Sequence, residues 1–179
     1  MVSILIPLAE GFDEIEASTA FNVLKRAGFS VVTAGLAGTI VKGSRGIQFI
    51  TDQKLDRIRT EEFDALVLVG GEQGYRNLMN SKRVIDLVKR FNSIRKTIAS
   101  ISHAPLVLAK AGILDDRLAT IYPGLEKEIP KPRNHRVLAD GHIITSRSPG
   151  TAIDFSLKIV ERLGDRRTAD RIRRDLHAE

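Results

Sequence analysis

The sequence predicts an α/β fold in which a mostly parallel sheet is covered by helices on both faces. Three observations carry that expectation. Short apolar runs alternate with amphipathic stretches along the whole chain. The run DALVLV at 64–69 is almost continuously apolar, as a strand buried on both faces must be. Glycines, Asp-Gly and prolines stand at the junctions between these segments. At 179 residues, 42% hydrophobic and 28% charged, the chain suits one globular domain spanning 1–179.

Taken in order, residues 2–8 read as a first strand. Residues 13–27 read as a helix with Ala17, Ala20, Phe21, Leu24 and Ala27 on one face, ended by Gly28. Residues 30–34 form a second strand, and 39–42 with 47–51 a hairpin around Gly43-Ser44-Arg45-Gly46. The buried strand 64–69 runs into Gly70-Gly71. Residues 81–95 are a helix whose Val84, Leu87, Val88, Phe91 and Ile94 point inward. Strand 97–101 leads directly into a helix from about 103 to 111, closed by Gly112. Residues 118–121 read as strand, and 122–135, with Pro123, Pro130 and Pro132, as a loop holding one helical turn. Residues 136–139 and 142–146 pair across Asp140-Gly141, and 150–163 and 165–178 close the chain as helices.

Composition removes whole classes of chemistry. There is no cysteine, which excludes disulfides, thiolate zinc sites, iron–sulfur clusters and thiol catalysis. His135, His142 and His177 show no metal-ligand spacing, and no dinucleotide fingerprint or P-loop is present, so neither metal nor cofactor is expected. Net charge is +6, with pI about 9.8. The bases of 82–96 and 158–175 alternate with apolar residues at helical spacing, and there is no Trp to stack on bases. They read as solvated helix faces, with nucleic acid kept only as a minor partner. The apolar N-terminus lacks a basic leader and meets acids within about ten residues, and no run approaches the roughly 18 apolar residues of a membrane span. A cytoplasmic protein is expected.

Ligands of such folds bind at the carboxyl ends of the strands. Three loops there carry suggestive residues. Asp13-x-x-Glu16 fits a helix-capping box, or else a carboxylate placed for proton transfer. Gly70-Gly71 is a plain turn, or a source of backbone amides for an oxyanion. In Ile98-Ala-Ser-Ile-Ser102-His103-Ala104-Pro105 the strand stops abruptly at Ser102, with small residues at Ser100 and Ala104 on either side. Ser102 is therefore either a helix cap or a nucleophile on an elbow, and as a nucleophile it needs a base such as His103.

These residues occur together with A-E-G-F-D-E-I-E-A after the first strand, A-G-L-A-G at 34–38, G-S-R-G at 43–46, V-L-V-G-G at 67–71 and D-G-H-I-I-T-S-R-S-P-G-T-A at 140–152. In that combination the chain resembles the ThiJ/PfpI superfamily, nearest its parkinsonism-associated deglycase/chaperone branch, from residue 2 to about 163. The resemblance implies a flavodoxin-like three-layer sandwich (class I glutamine amidotransferase-like), usually as a homodimer. It implies a site built from a nucleophilic cysteine on an elbow, an acid from the first helix and an oxyanion hole of backbone amides. Matched by position, Glu16 falls on the acid, Gly71 on the glycine whose amide faces the oxyanion, and Ser102 on the cysteine. His103 matches the histidine that follows the cysteine in the protease-like branch. Tyr122 stands where many deglycase-like members carry a histidine, and Arg45 and Arg147 match basic positions near the site and dimer interface. Gly70, Tyr122, Arg45 and Arg147 are the implied substrate-binding residues.

The implied substrates are small α-oxoaldehydes such as methylglyoxal, or their adducts on proteins. Serine alters the chemistry, because a hydroxyl is not ionised near neutrality as a low-pKa thiol is. Three readings follow. The chain is an enzyme using Ser102 with Glu16 or His103 moving the proton; or a binding or chaperone-like member, or a Cys-to-Ser variant of an active enzyme; or a polyanion binder through its basic helices.

Overall fold

A computed structural model describes residues 1–178 of the chain. Seven strands form one sheet: β1 (Ser3–Leu8), β2 (Ser30–Gly35), β5 (Gln53–Lys54), β6 (Ala65–Leu68), β7 (Thr97–Ile101), β8 (Val137–Asp140) and β9 (Ile143–Ser146). Their order is β5-β2-β1-β6-β7-β9-β8, and every pairing is parallel except β8 with β9. A separate antiparallel hairpin joins β3 (Ile40–Lys42) to β4 (Gln48–Ile50). Six helices cover the sheet: α1 (Glu14–Arg26), α2 (Glu72–Asn80), α3 (Lys82–Ser93), α4 (Pro105–Lys110), α5 (Ala152–Leu163) and α6 (Arg166–Asp175). The flavodoxin-like sandwich is the observed architecture.

The central strands are apolar because their side chains feed two cores. Leu66, Leu68 and Ile98 pack with α2, α3 and α4 on one face. Ala65, Val67, Val69, Ala99 and Ile101 pack with α1, α5 and α6 on the other. Alternate residues of one strand thus serve opposite layers, and both sets are mainly apolar, with Thr97 and Ser100 of β7 as buried exceptions. Phe155 of α5, fully buried, anchors the second layer.

Some details depart from the sequence reading. Residues 118–121 do not join the sheet, whose place beside β7 is taken by β9. Instead one bridge, Ala119 to Pro132, and two side chains hold the segment: Leu118 N donates to Asp140 and Thr120 N to Thr145 Oγ1. Residues 72–80, given no element from sequence, form α2, which buries only Gly74, Tyr75 and Leu78 and so shows little apolar period. The helix after β7 begins at Pro105, not 103, and Ile94 is partly exposed at the end of α3.

The basic helices are solvated, and several of their bases are paired while an excess of positive charge remains. Lys82 pairs with Asp86, Arg166 with Asp170, Arg171 with Asp175 and Arg173 with Asp154. No helix among the described residues is long and apolar enough to cross a membrane. Phe155→Ala removes a wholly buried ring beneath α5 and is expected to destabilise the fold by about 3–5 kcal/mol, measured by denaturant unfolding. A loss below 1 kcal/mol would contradict its anchoring role.

Candidate active site

The sheet reverses its winding between β1 and β6, the position where doubly wound folds open a crevice beyond their strand ends. Three chain segments meet there: β1 passing into α1, β6 into α2 through Gly70-Gly71, and β7 into α4 through Ser102-His103. The tip of the β3–β4 hairpin closes the side. Together they bound a cleft of about 680 Å³ whose wall includes Asp13, Arg45, Gly71, Ser102, His103 and Tyr122.

Ser102 is not a helix cap. Helix α4 starts three residues later, with Ala104 at its N-cap and no side-chain cap bond. Ser102 sits instead in the left-handed region, at φ 63°, a conformation that costs a non-glycine residue about 1 kcal/mol. Its neighbours over-determine that geometry: Ser102 N donates to Ser146 O at 2.9 Å, and Tyr122 N donates to Ser102 O at 3.0 Å. The hydroxyl is thereby held at the floor of the cleft, 1% exposed, with Oγ 3.0 Å from His103 Nδ1.

The His103 ring lies between the two tyrosines of the chain. Its centroid is 5.3 Å from Tyr75 at an interplanar angle of 16°, and 4.5 Å from Tyr122 at 20°. Burial lowers its pKa below the ordinary histidine value, Arg76 adds to that, and Glu72 and Asp13 oppose it. A neutral imidazole with its proton on Nε2 leaves Nδ1 free to accept from the serine hydroxyl.

Glu16 approaches from α1. It is 1% exposed, and its Oε2 accepts from Gly70 N at 2.6 Å, while Oε1 has no partner among the described residues. Burial, then the charge of Asp13, push its pKa up to about 8, against the Gly70 amide and the Ser102 hydroxyl, which lower it. At neutral pH it is a carboxylic acid, and with Oε2 accepting, its proton belongs on Oε1. The capping box is therefore half formed. Asp13 accepts from Glu16 N at 3.0 Å, but Glu16 turns away to Gly70 and the Asp13 amide goes to Gly70 O.

Gly70 is the wedge between acid and serine: a Cβ there would lie 3.1 Å from both Glu16 Oε2 and Ser102 Cβ. Gly71, at φ 93°, begins α2, and a Cβ there would strike the backbone of residues 11–13. Neither the Gly71 nor the His103 amide donates to a protein acceptor among the described residues, so both remain free for an oxyanion.

Of the residues singled out by sequence, Gly71, Ser102, His103, Tyr122 and Arg45 line this cleft, while Glu16 and Gly70 lie behind it, packed against Ser102. Arg147 is outside its wall; its amide donates to Arg136 O. Tyr75 and Glu14 escaped the sequence reading. Tyr75 lies on the unassigned helix α2, and Glu14 stands in the first turn of α1 with no motif that singles it out. Among the described residues no group of three or more His, Asp or Glu side chains is placed to hold a metal ion.

A sequence model described as the DJ-1/PfpI family matches residues 2–162. Protein dj-1beta of Drosophila melanogaster is 38% identical over 179 residues, covering 97% of this chain and 96% of the fly protein. A deglycase of Pyrococcus abyssi is 32% identical over 164 residues, covering 89% and 98% of the two chains. The crystal structure of Drosophila melanogaster DJ-1beta superposes with a TM-score of 0.96 at 37% identity, over 99% of this chain and 98% of that one.

The buried acid has a stability signature. An ordinary carboxyl in the unfolded chain, near 4.5, releases its proton long before Glu16 does near 8. The folded state thus binds more protons across that window, and stability falls as pH rises through it. Glu16→Gln keeps the acceptor for Gly70 and is expected to stabilise the protein by about 1–3 kcal/mol at pH 8 and by little at pH 4.5. Thermal melts across that range test this; a pH-independent difference would refute it.

Proposed function

Because the chain belongs to the DJ-1/PfpI family, we propose that it is a deglycase-like stress-response protein acting on α-oxoaldehydes or their adducts, with Ser102 as its nucleophile. The observation that carries this reading is the 3.0 Å contact between Ser102 Oγ and His103 Nδ1 on a backbone elbow. It supplies the base that a hydroxyl nucleophile requires.

The site then divides its labour between two proton carriers. Ser102 Oγ adds to the aldehyde carbon while His103 takes the hydroxyl proton. The new oxyanion, faced by the Gly71 and His103 amides, is protonated by Glu16 from Oε1. The resulting Glu16 carboxylate removes the proton on the former aldehyde carbon, and the electron pair moves to the neighbouring ketone oxygen, which His103 protonates. Glu16 returns its proton to the former ketone carbon as the enediol collapses to a 2-hydroxyacyl ester of Ser102, regaining the hydroxyl proton. Water activated by His103 cleaves that ester. The sum is an oxoaldehyde plus water giving a 2-hydroxy acid, in which one carbon is oxidised, its neighbour reduced, and no cofactor consumed.

A second reading, a ligand-binding or chaperone-like member, is favoured by the serine itself, whose hydroxyl is a weaker nucleophile than a thiolate. The exposed Ile40, Ile47 and Ile50 of the β3–β4 hairpin support a homodimer, since a second copy would cover them. Sedimentation of Ile50→Glu is expected to give a lower mass than the unsubstituted protein; equal masses would remove this face from the interface.

Methylglyoxal consumption tests the catalytic reading. Ser102→Ala is expected to lose about 100-fold or more in kcat/KM and His103→Ala about as much, while Ser102→Cys stays active. The profile is expected to fall above pH about 8, where Glu16 ionises. Full activity in Ser102→Ala would overturn the reading, as would turnover only in Ser102→Cys, which would show an intact pocket missing its nucleophile.

A further inference from the structure

Glu14, the first residue of α1, points away from the Glu16 side of the helix and is only 7% exposed. Both of its carboxylate oxygens are occupied by the hairpin tip. Arg45 N donates to Oε1 at 2.6 Å and Ser44 Oγ to Oε2 at 3.0 Å. The tip is further strapped to the loop before α1: Ser44 N donates to Phe12 O and Gly11 N to Lys42 O, each at 2.8 Å. Gly43 fits because it lacks a side chain, as a Cβ there would fall on the Glu14 carboxyl group.

This clamp fixes the backbone from which the Arg45 side chain enters the cleft wall. Three charged side chains line that wall. Asp13 is engaged by the Glu16 amide and Glu72 pairs with Arg76 at 3.5 Å, whereas the Arg45 guanidinium has no partner among the described residues. An exposed guanidinium without an ion pair, held at the wall of the cleft that contains Ser102, can receive a carboxylate, which it can bind through two parallel hydrogen bonds.

We propose that Glu14 is a positioning residue that holds the Ser44–Arg45 tip in place, and that Arg45 so held selects α-oxoaldehydes carrying a carboxylate on the carbon chain. This rests on the carbonyl-directed function proposed above and names its substrate class. Rigidity is what the clamp contributes. A free arginine on a loose loop gains little from a carboxylate after paying its ordering entropy, whereas a pre-placed one keeps most of the interaction.

The matched pair methylglyoxal, neutral, and 4,5-dioxopentanoate, the same reactive group with a carboxylate tail, isolates this selection. The unsubstituted protein is expected to favour 4,5-dioxopentanoate about 10-fold in kcat/KM, chiefly through KM. In Arg45→Ala and in Glu14→Ala that ratio is expected to fall to about one, while Glu14→Gln, which still accepts from the Arg45 amide, keeps most of it. Gly43→Ala is expected to behave like Glu14→Ala. A ratio unaffected by Arg45→Ala or Glu14→Ala in folded protein would overturn the proposal, as would no preference in the unsubstituted protein. Should neither aldehyde be consumed, the catalytic reading fails, and 2-oxoglutarate binding by calorimetry decides this one separately. Binding abolished by Arg45→Ala and Glu14→Ala supports it; no binding, or binding that survives both substitutions, overturns it.

Discussion

Burying a carboxyl group and tying one of its oxygens to a main-chain amide fixes how the parts of this molecule meet. Glu16 cannot reach Gly70 N unless α1 begins within a few residues of the end of β1 and lies against the turn that ends β6. Glycine suits that turn, since a Cβ at position 70 would crowd both Glu16 and Ser102 at 3.1 Å. The elbow at Ser102 must in turn stop β7 at the same level, which its bonds to Ser146 and Tyr122 enforce. One desolvated acid therefore sets the relative height of three strand ends. Its protonated state follows from the same burial that makes it structurally decisive.

The two cores explain why the strands were easy to read. Val67 and Leu68 serve opposite layers yet both must be apolar, so the parallel strands stand out as unbroken runs. Helix α3 was equally plain, because one whole face meets the sheet. Helix α2 was not, since its buried residues are few and one is glycine. Residues 118–121 illustrate the opposite error: an apolar segment with strand-like composition is held by the side chains of Asp140 and Thr145, partners more than twenty residues away. Local pattern cannot reveal such long-range competition for backbone bonds.

The candidate site was legible in outline and illegible in its directions. Asp13, Glu16, Gly70, Gly71, Ser102 and His103 were visible as residue types at strand ends. Two capping readings fall away in the structure, at Ser102 because α4 starts three residues later and at Glu16 because its carboxyl turns to Gly70. Glu14 and Glu16 are two residues apart on one helix, each buried and each bonded to a different loop. Their environments move their pKa values in opposite directions, one held low by the Arg45 amide, the helix start and Ser44 despite its burial, the other raised by burial. Nothing in the tripeptide itself distinguishes them.

The stack of Tyr75, His103 and Tyr122 has an optical consequence. The chain has no tryptophan, and these are its only tyrosines, so both phenol chromophores flank one imidazole beside Ser102. The tyrosine emission of the protein therefore comes from a single place, stacked on a group whose charge depends on pH. Tyrosine fluorescence is thus a label-free handle on ligands that contact Tyr122 and on protonation of His103.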